Sequence, residues 1–579
     1  MEHHLTTYIT HDTLVSALGF GTQENLEALR AYRSGITLQT DKRIADTPLL
    51  AATIPQERLQ RQAEAASLNG YTRMEQLFIL AIREIIRQSG QTLEDKTCGL
   101  ILSTTKGNID LLAHHTEHPD EAVLLWKMAE NIAGYFHADG RVHVISNACI
   151  SGVSALIMGK RMIENGTYRK VIVAGGDILS HFITSGFLSF RSVSTRLCRP
   201  YDSSRDGLNL GEACGAVLLS AEEMQDGIIL SGGAVSNDAN HISGPSRTGD
   251  GLFFAIRQAM QEAGTEPEDI SFVNAHGTAT IYNDEMESKA LTLAHLEQVP
   301  VHSLKPYFGH TLGASGIIES IICVHELKQG ILFGTLGYET PGVPMPIQVY
   351  ATHKAIPMKH CVKTASGFGG CNAALVLSLP ENTLSKGRGC AMPDVRCTRE
   401  VRIENGCVFI DNELIFHSEE HEKPDFGTFI REVYKKQDGN NMKFYKMDDL
   451  CKLGYVAAGY LLEGKTFAPQ EMGLLLANAG SSLHTDIRHQ QLIDRNGDVA
   501  ASPAVFVYTL PNVVSGEICI RHKIQGESTF FITKAYQPEK LEQYARIVMG
   551  KGKLKYGMTG WCELLNDTYK AEFKLIEIQ

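Results

Sequence analysis

Ser146-Asn147-Ala148-Cys149-Ile150-Ser151-Gly152 places one thiol between an apolar run, Val142–Ile145, and the stretch Ser151–Glu164. The run reads as a short strand. The stretch reads as a helix with Val153, Leu156 and Ile157 on one face. Three further motifs follow at long intervals: Asn274-Ala275-His276-Gly277-Thr278, Ser303-Leu304-Lys305-Pro306-Tyr307-Phe308-Gly309-His310, and Gly367-Phe368-Gly369-Gly370. Together they supply one thiol, two imidazoles, one lysine and a glycine-rich turn. Each motif is read as following a strand, with His276 and His310 each at a strand end. An α/β sheet presents its chemistry at such ends.

A lone cysteine is most often buried and inert, and a lone histidine is most often a satisfied core or surface residue. The combination points elsewhere. A thiol at a helix N-terminus meets unpaired backbone N–H groups, which favour thiolate. A thiolate suits acyl transfer because it forms a thioester. Two imidazoles can donate N–H bonds to a thioester or enolate oxygen.

The chain has 579 residues, a length that predicts two or more domains. Hydrophobic residues at 43% and charged residues at 21% fit an ordinary soluble globular protein. A net charge of −12 argues against nucleic-acid binding. An acidic protein partner would need a local basic patch. Met1-Glu2-His3-His4 lacks the basic and apolar regions of a signal peptide, and the apolar runs are too short to span a membrane. Thirteen scattered cysteines without a CxxC pair predict a reduced, cytoplasmic setting. His114, His115 and His118 with Glu117 read as a solvated loop, and no metal site is expected.

Strand-like and helix-like stretches alternate along the chain to Ala374–Leu379, which argues for α/β layers. Arg73–Gln88 carries a helical apolar stripe at Met74, Leu77, Phe78, Ala81, Ile82 and Ile85. Ser, Lys, Gly and Pro then cluster over Glu381–Arg396, which reads as a linker. Beyond it, Asn405-Gly406 predicts a tight hairpin turn. The last part weakly repeats the first. Met447–Tyr460 pairs with Met74–Ser89, and Gly473–Leu476 with the start of Gly99–Lys106. Val505–Thr509 with the segment to Gly516 pairs with Val142–Gly152, and Tyr556–Trp561 with Val171–Asp177. Aligned on the Ser-Gly pair, Val513 stands where Cys149 stands.

The motifs resemble the elongating β-ketoacyl-acyl-carrier-protein synthases of the thiolase fold over residues 5–380. The resemblance includes Arg199-Pro200-Tyr201-Asp202, Arg205-Asp206-Gly207, Gly211-Glu212, Thr278-Ala279-Thr280 with Asn283-Asp284 and Glu287, and Gly309 to Gly316 with Glu319. It implies two similar α/β halves layered αβαβα, over residues 1–235 and 236–380. A linker at 381–399 and a degenerate, half-thiolase-like α/β domain at 400–579 would follow. By the same resemblance, Cys149, His276 and His310 are catalytic, with Lys305 supporting them. Phe368 gates the site and shares an oxyanion hole with Cys149. Glu319, Thr278, Thr280 and Asp284 support the network, and Arg73, Arg196 and Arg205 fall near carrier-docking positions. Acyl carrier protein and a homodimer are the implied partners, and no bound cofactor is implied.

Two departures stand out. Thr364-Ala365-Ser366 replaces the family's Asn-Ser-Phe before Gly-Phe-Gly-Gly, and Ile150 is bulkier than the residue usual after the cysteine. Two other readings remain open. A degradative thiolase would use one histidine and a second cysteine, for which Cys371 is placed. A non-catalytic chain-length-type subunit suits the tail better than residues 5–380.

Overall fold

The computed structural model describes residues 5–138, 140–382, 392–418, 425–566 and 568–579. The first half contains β1 (Tyr8–Ser16), α1 (Arg73–Ser89), β2 (Cys98–Ser103), α2 (Leu125–Tyr135) and β3 (Val142–Ile145). It continues with α3 (Ser151–Glu164), β4 (Lys170–Asp177), α4 (His181–Ser189) and β5 (Ala213–Ser220). Its sheet runs β3-β2-β4-β5-β1, the first three parallel and the last two antiparallel. The helix α1 forms as its pattern predicts. Thr72 and Glu75 make a reciprocal capping box, Gly90 closes it in the left-handed region at φ 65°, and the apolar stripe is buried.

The second half repeats this plan. It holds β6 (Ile228–Asn237), α5 (Asp250–Ala263), β7 (Ile270–Asn274), α6 (Ile281–Leu293) and β8 (Pro300–His302), then α7 (Ser315–Gln329), β9 (His360–Gly367) and β10 (Cys371–Ser378). Its order is β8-β7-β9-β10-β6 with the same parallel and antiparallel pattern. The helices α3 and α7 are buried along almost their whole length and form the middle layer. They touch through glycines: a Cβ on Gly152 would lie 2.8 Å from the Gly313 carbonyl, and one on Gly316 would lie 2.4 Å from the Val153 nitrogen. The αβαβα layering expected from the sequence is present.

The tail builds the plan a third time. Its elements are β11 (Val395–Glu404), β12 (Cys407–Ile410), α8 (Asp449–Leu461), β13 (Met472–Asn478), α9 (Leu483–Asn496) and α10 (Val513–His522). They continue with β14 (Ser528–Ile532), α11 (Pro538–Met549), β15 (Tyr556–Leu565) and β16 (Thr568–Ile578). The order is β14-β13-β15-β16-β11, again three parallel strands and two antiparallel ones. Asn405 and Gly406 both have positive φ, 49° and 73°, as a two-residue hairpin turn requires.

Two expectations need correction. First, Val505–Thr509 is not a strand; it is a helical turn followed by a 3-10 turn. The strand matching β3 is β14, and α10 packs on α8 as α2 packs on α1. The counterpart of the Cys149 turn is therefore Thr533-Lys534-Ala535-Tyr536-Gln537, not the segment around Val513. It too holds no thiol. Second, the tail begins inside the expected linker, since β11 starts at Val395; residues 383–391 lie outside the described residues.

The edge strand of the first sheet is also paired within the chain. The edge strand β3 pairs antiparallel with β14 of the same chain, Ile145 opposite Phe531 and Val144 opposite Ile532. Ser146 N–H donates to the Phe530 carbonyl at 3.1 Å. One apolar core crosses this seam, joining Leu102 and Val144 to Phe530 and Ile532. Buried ion pairs reinforce it: Lys106 with Asp486, and Arg161 with Glu527. Among the described residues no single helix is long and apolar enough to cross a membrane.

Candidate active site

Cys149 lies in the turn between β3 and α3, as its sequence context predicts. Ala148 before it takes φ 48°, a left-handed conformation costly for a residue with a Cβ. Comparable strain recurs beside both histidines, at Ala279 (φ 62°) and Leu312 (φ 53°). Ser151 ties the turn by accepting from Asn147 N–H and donating to the Ala148 carbonyl, at 2.8 and 2.6 Å.

The second half brings both histidines to this thiol. His310 Nε2 is 3.2 Å from Cys149 Sγ, and the His276 and His310 rings stand nearly perpendicular, 5.3 Å apart. Ser315 Oγ lies 3.3 Å from His310 Nδ1. His276 directly follows β7, but His310 does not end a strand. A helical turn, Lys305–Phe308, separates it from β8.

The Lys305 side chain is fully buried and reaches Glu319 at 2.5 Å. Lys363 on β9 is buried too, and meets the other Glu319 oxygen at 2.8 Å. Burial disfavours the Glu319 carboxylate, but Lys305 and Lys363 outweigh burial and hold its pKa below the usual range. Burial first, then Lys305, pushes both His276 and His310 well below the ordinary imidazole value. Both rings are neutral at physiological pH. Burial pushes the Cys149 thiol up to about 12, against the pull of Lys305. Burial thus favours the protonated thiol, opposite in direction to the helix-start effect expected from the sequence.

The carboxylates orient the turns. Glu287 accepts from the backbone N–H of His276 and Gly277 at 2.7 and 2.8 Å, from Tyr201 Oη at 2.6 Å and from Thr364 Oγ1 at 2.6 Å. Asp284 accepts from Tyr201 N–H at 2.8 Å, and burial raises its pKa to about 7. Thr278 and Thr280 bond to each other at 2.8 Å, beside His276 and not on it. Asp177 binds the Thr104-Thr105 turn and the Gly313 N–H, so it joins the two halves behind the thiol.

Phe368 sits on the turn between β9 and β10. Its ring packs on Phe187 and Phe190, with centroids 6.2 and 5.4 Å away. Gly367 is needed for close approach, since a Cβ there would lie 3.1 Å from the Cys149 nitrogen. The replaced Thr364 is used: besides donating to Glu287 it accepts from His276 N–H at 3.1 Å. Of the three arginines, Arg73 is tied to Glu212 through two bonds of 2.6 and 2.8 Å. Arg205 is buried and bonded to backbone carbonyls. Only Arg196 is exposed, paired with Asp206. His114 meets Asp494 of the tail, at 3.4 Å. The described residues that approach metal-ligand spacing are instead Asp46, His181 and Asp498, at the core–tail seam.

Sequence reasoning missed Lys363, Ser315, Asp177 and the tail's contributions. Lys363 precedes the Thr364-Ala365-Ser366 departure, and Asp177 ends a Gly-Gly-Asp strand terminus. These were the available signals. The tail residues carry none. Phe506 packs on Phe187 at 5.5 Å, and Asn512 bonds the Phe368 carbonyl at 2.8 Å.

Residues 12–225 match the family model for the β-ketoacyl synthase N-terminal domain, and residues 228–339 match the one for its C-terminal domain. The chain belongs to the β-ketoacyl synthase family through these residues, which span more than half of it. It is similar to 3-oxoacyl-(acyl-carrier-protein) synthase 2 of Vibrio cholerae, 33% identical over 251 residues. That match covers 40% of this chain and spans 61% of the relative's length. Among solved structures, it resembles the ketosynthase ApeO in complex with its chain length factor ApeC from Xenorhabdus doucetiae. The identity is 26% and the TM-score 0.58, over 65% of this chain and 98% of that one. The PfaC keto synthase–chain length factor shares the fold over 99% of this chain and 78% of its own, with TM-score 0.76 and 13% identity.

Proposed function

We propose that this chain is a decarboxylating condensing enzyme, a 3-oxoacyl-(acyl-carrier-protein) synthase of fatty acid or polyene/polyketide-like biosynthesis. The observation that carries the reading is the 3.2 Å approach of His310 Nε2 to Cys149 Sγ, with the His276 ring standing across it. In the first step a carrier-bound acyl thioester meets Cys149. The Sγ proton passes to neutral His310, sulfur attacks the carbonyl, and the carrier thiol leaves with that proton. Ser315 Oγ can donate or accept, so His310 can hold its proton on either nitrogen.

In the second step malonyl-carrier protein enters. Its bond to the carboxylate breaks, carbon dioxide leaves, and the electron pair becomes an enolate held by N–H groups of His276 and His310. The enolate carbon attacks the acyl carbonyl. The resulting oxyanion is held by the Cys149 and Phe368 N–H groups, and its collapse frees the sulfur. Burial first, then the positive field of Lys305 and Lys363, paired with Glu319, keeps both imidazoles neutral.

The partner is acyl carrier protein, with Arg196 the exposed candidate for docking. The tail, a half-synthase without a thiol at the turn that matches Cys149, acts as the built-in second subunit, so no homodimer through β3 is proposed. A degradative thiolase is the weaker reading. Cys371 Sγ is buried against the Asn147 and Phe368 carbonyls, and burial raises its pKa well above the thiol range. The test measures acyl loading of Cys149 and β-ketoacyl product formed with malonyl-carrier protein. Loss of acyl loading and of β-ketoacyl product in Cys149→Ala supports the reading, and β-ketoacyl product formed by that variant refutes it.

A further inference from the structure

The turn Gly367–Gly370 is held on two sides by different parts of the chain. The peptide unit between Phe368 and Gly369 is pinned at both ends. Its N–H, on Gly369, donates to the Ile242 carbonyl of the core at 2.6 Å. Its carbonyl, on Phe368, accepts from Asn512 Nδ2 of the tail at 2.8 Å. Rotating this peptide, as a backbone movement of the turn away from Phe187 would do, breaks both bonds.

The surroundings leave little slack. Gly369 takes φ 89°, and a Cβ there would lie 2.7 Å from Asn512 Nδ2. A Cβ on Gly516, one turn along α10, would lie 2.6 Å from the Gly369 carbonyl. The tail helix therefore seats directly on the backbone of the turn. Asn512 itself is 2% exposed. It stands at the start of α10 but makes no side-chain bond to its own helix, although asparagine is a preferred capping residue. Its Oδ1 is buried without a hydrogen-bond partner. A buried amide with one unsatisfied end is a poor choice for stability alone. Its satisfied end points at the gate, where Nδ2 meets the Phe368 carbonyl and, at 3.7 Å, Cys371 Sγ.

We infer that Asn512 is a positioning residue, through which the tail latches the Phe368 turn closed over acylated Cys149. This rests on the condensing-enzyme reading above. The latch restrains the turn during acyl loading and keeps water from the thioester afterwards. It also supplies a physical role for a tail that has no thiol at the turn matching Cys149.

Asn512→Leu keeps the volume and removes the donor, and Asn512→Ala removes both at small packing cost. Two readouts are taken on each full-length variant and on the wild type. The first is hydrolysis of the acyl group from Cys149, followed by intact mass after loading from an acyl thioester. The second is amide hydrogen exchange of the peptide spanning residues 367–370, which needs no activity. Loss of one neutral hydrogen bond predicts about fivefold faster hydrolysis and a similar rise in exchange, with melting temperature unchanged in at least the Ala variant. Wild-type rates for both readouts in a folded variant would overturn the latch. A wild-type protein that never loads Cys149 refutes the condensing-enzyme reading instead, and the exchange readout then decides the latch alone.

Discussion

Arg161 Nη1 donates to both carboxylate oxygens of Glu527, at 2.8 and 2.9 Å, with each side chain only 5% exposed. Arg161 lies on α3, the helix that begins at the candidate nucleophile, and Glu527 immediately precedes β14 of the tail. Tyr544 Oη, on α11, approaches the same guanidinium at 3.1 Å. The helix behind Cys149 is thus anchored to the tail where water does not reach. Breaking one partner leaves a buried charge, which costs about 3–5 kcal/mol, whereas apolar replacement of both costs far less. Glu527→Ala is expected to lower the melting temperature and expose the seam to protease. The Arg161→Met/Glu527→Leu double variant should recover most of the loss.

Removal of the tail should have a larger effect. Deleting residues 392–579 uncovers the β3 edge, the apolar face around Val144, and Lys106, whose ammonium otherwise meets Ser482 Oγ, the Thr509 carbonyl and Asp486. An exposed strand edge with an apolar face aggregates or pairs with a second copy. Sedimentation of the truncated core is expected to give aggregate or dimer. A well-behaved monomer of unchanged stability would mean that the seam contributes little.

The two histidines should separate by step. His310 alone touches Cys149 Sγ, so His310→Ala is expected to slow acyl loading and decarboxylation alike, by about 10²–10⁴-fold. His276→Ala should spare loading and lose decarboxylation. Single-turnover loading compared with carbon dioxide release checks both. Equal losses in the His276 variant would contradict the division.

The raised thiol pKa sets a pH profile. With Cys149 pushed up to about 12, the thiol stays protonated through neutrality, and its thiolate fraction grows about tenfold per pH unit below that value. Alkylation of the free enzyme at Cys149 should therefore keep rising from pH 6 to 9. Because both imidazole values lie well below the ordinary one, no inflection is expected near pH 6.5. A plateau of alkylation by pH 8 would show a thiolate that burial does not suppress.

Much of this was legible in the sequence. The limits of β3 and α3 around Cys149 follow from one apolar run and one helical stretch, and the structure reproduces both. The pairing of Tyr556–Trp561 with Val171–Asp177 is realised as β15 and β4, both buried strands that pair parallel with a neighbour on one side. Pattern failed at Val505–Thr509, which is equally apolar but lies after Pro503 and folds as helical turns. Short apolar runs do not separate strand from helix. The electrostatics were illegible for another reason. That Lys305 and Lys363 share Glu319, and that burial keeps Cys149 a thiol, depend on distances between distant segments. Asn512 could not be found by motif, since its meaning comes only from the carbonyl it touches.

The central claim is tested most directly by product mass spectrometry of the full-length protein with malonyl-carrier protein and a ladder of acyl-carrier substrates. The account predicts β-ketoacyl-carrier product two carbons longer than the acyl substrate, with a transient acyl adduct on Cys149 and neither species in Cys149→Ala. An acyl adduct on another cysteine, or two-carbon extension by the Cys149→Ala protein, would contradict it.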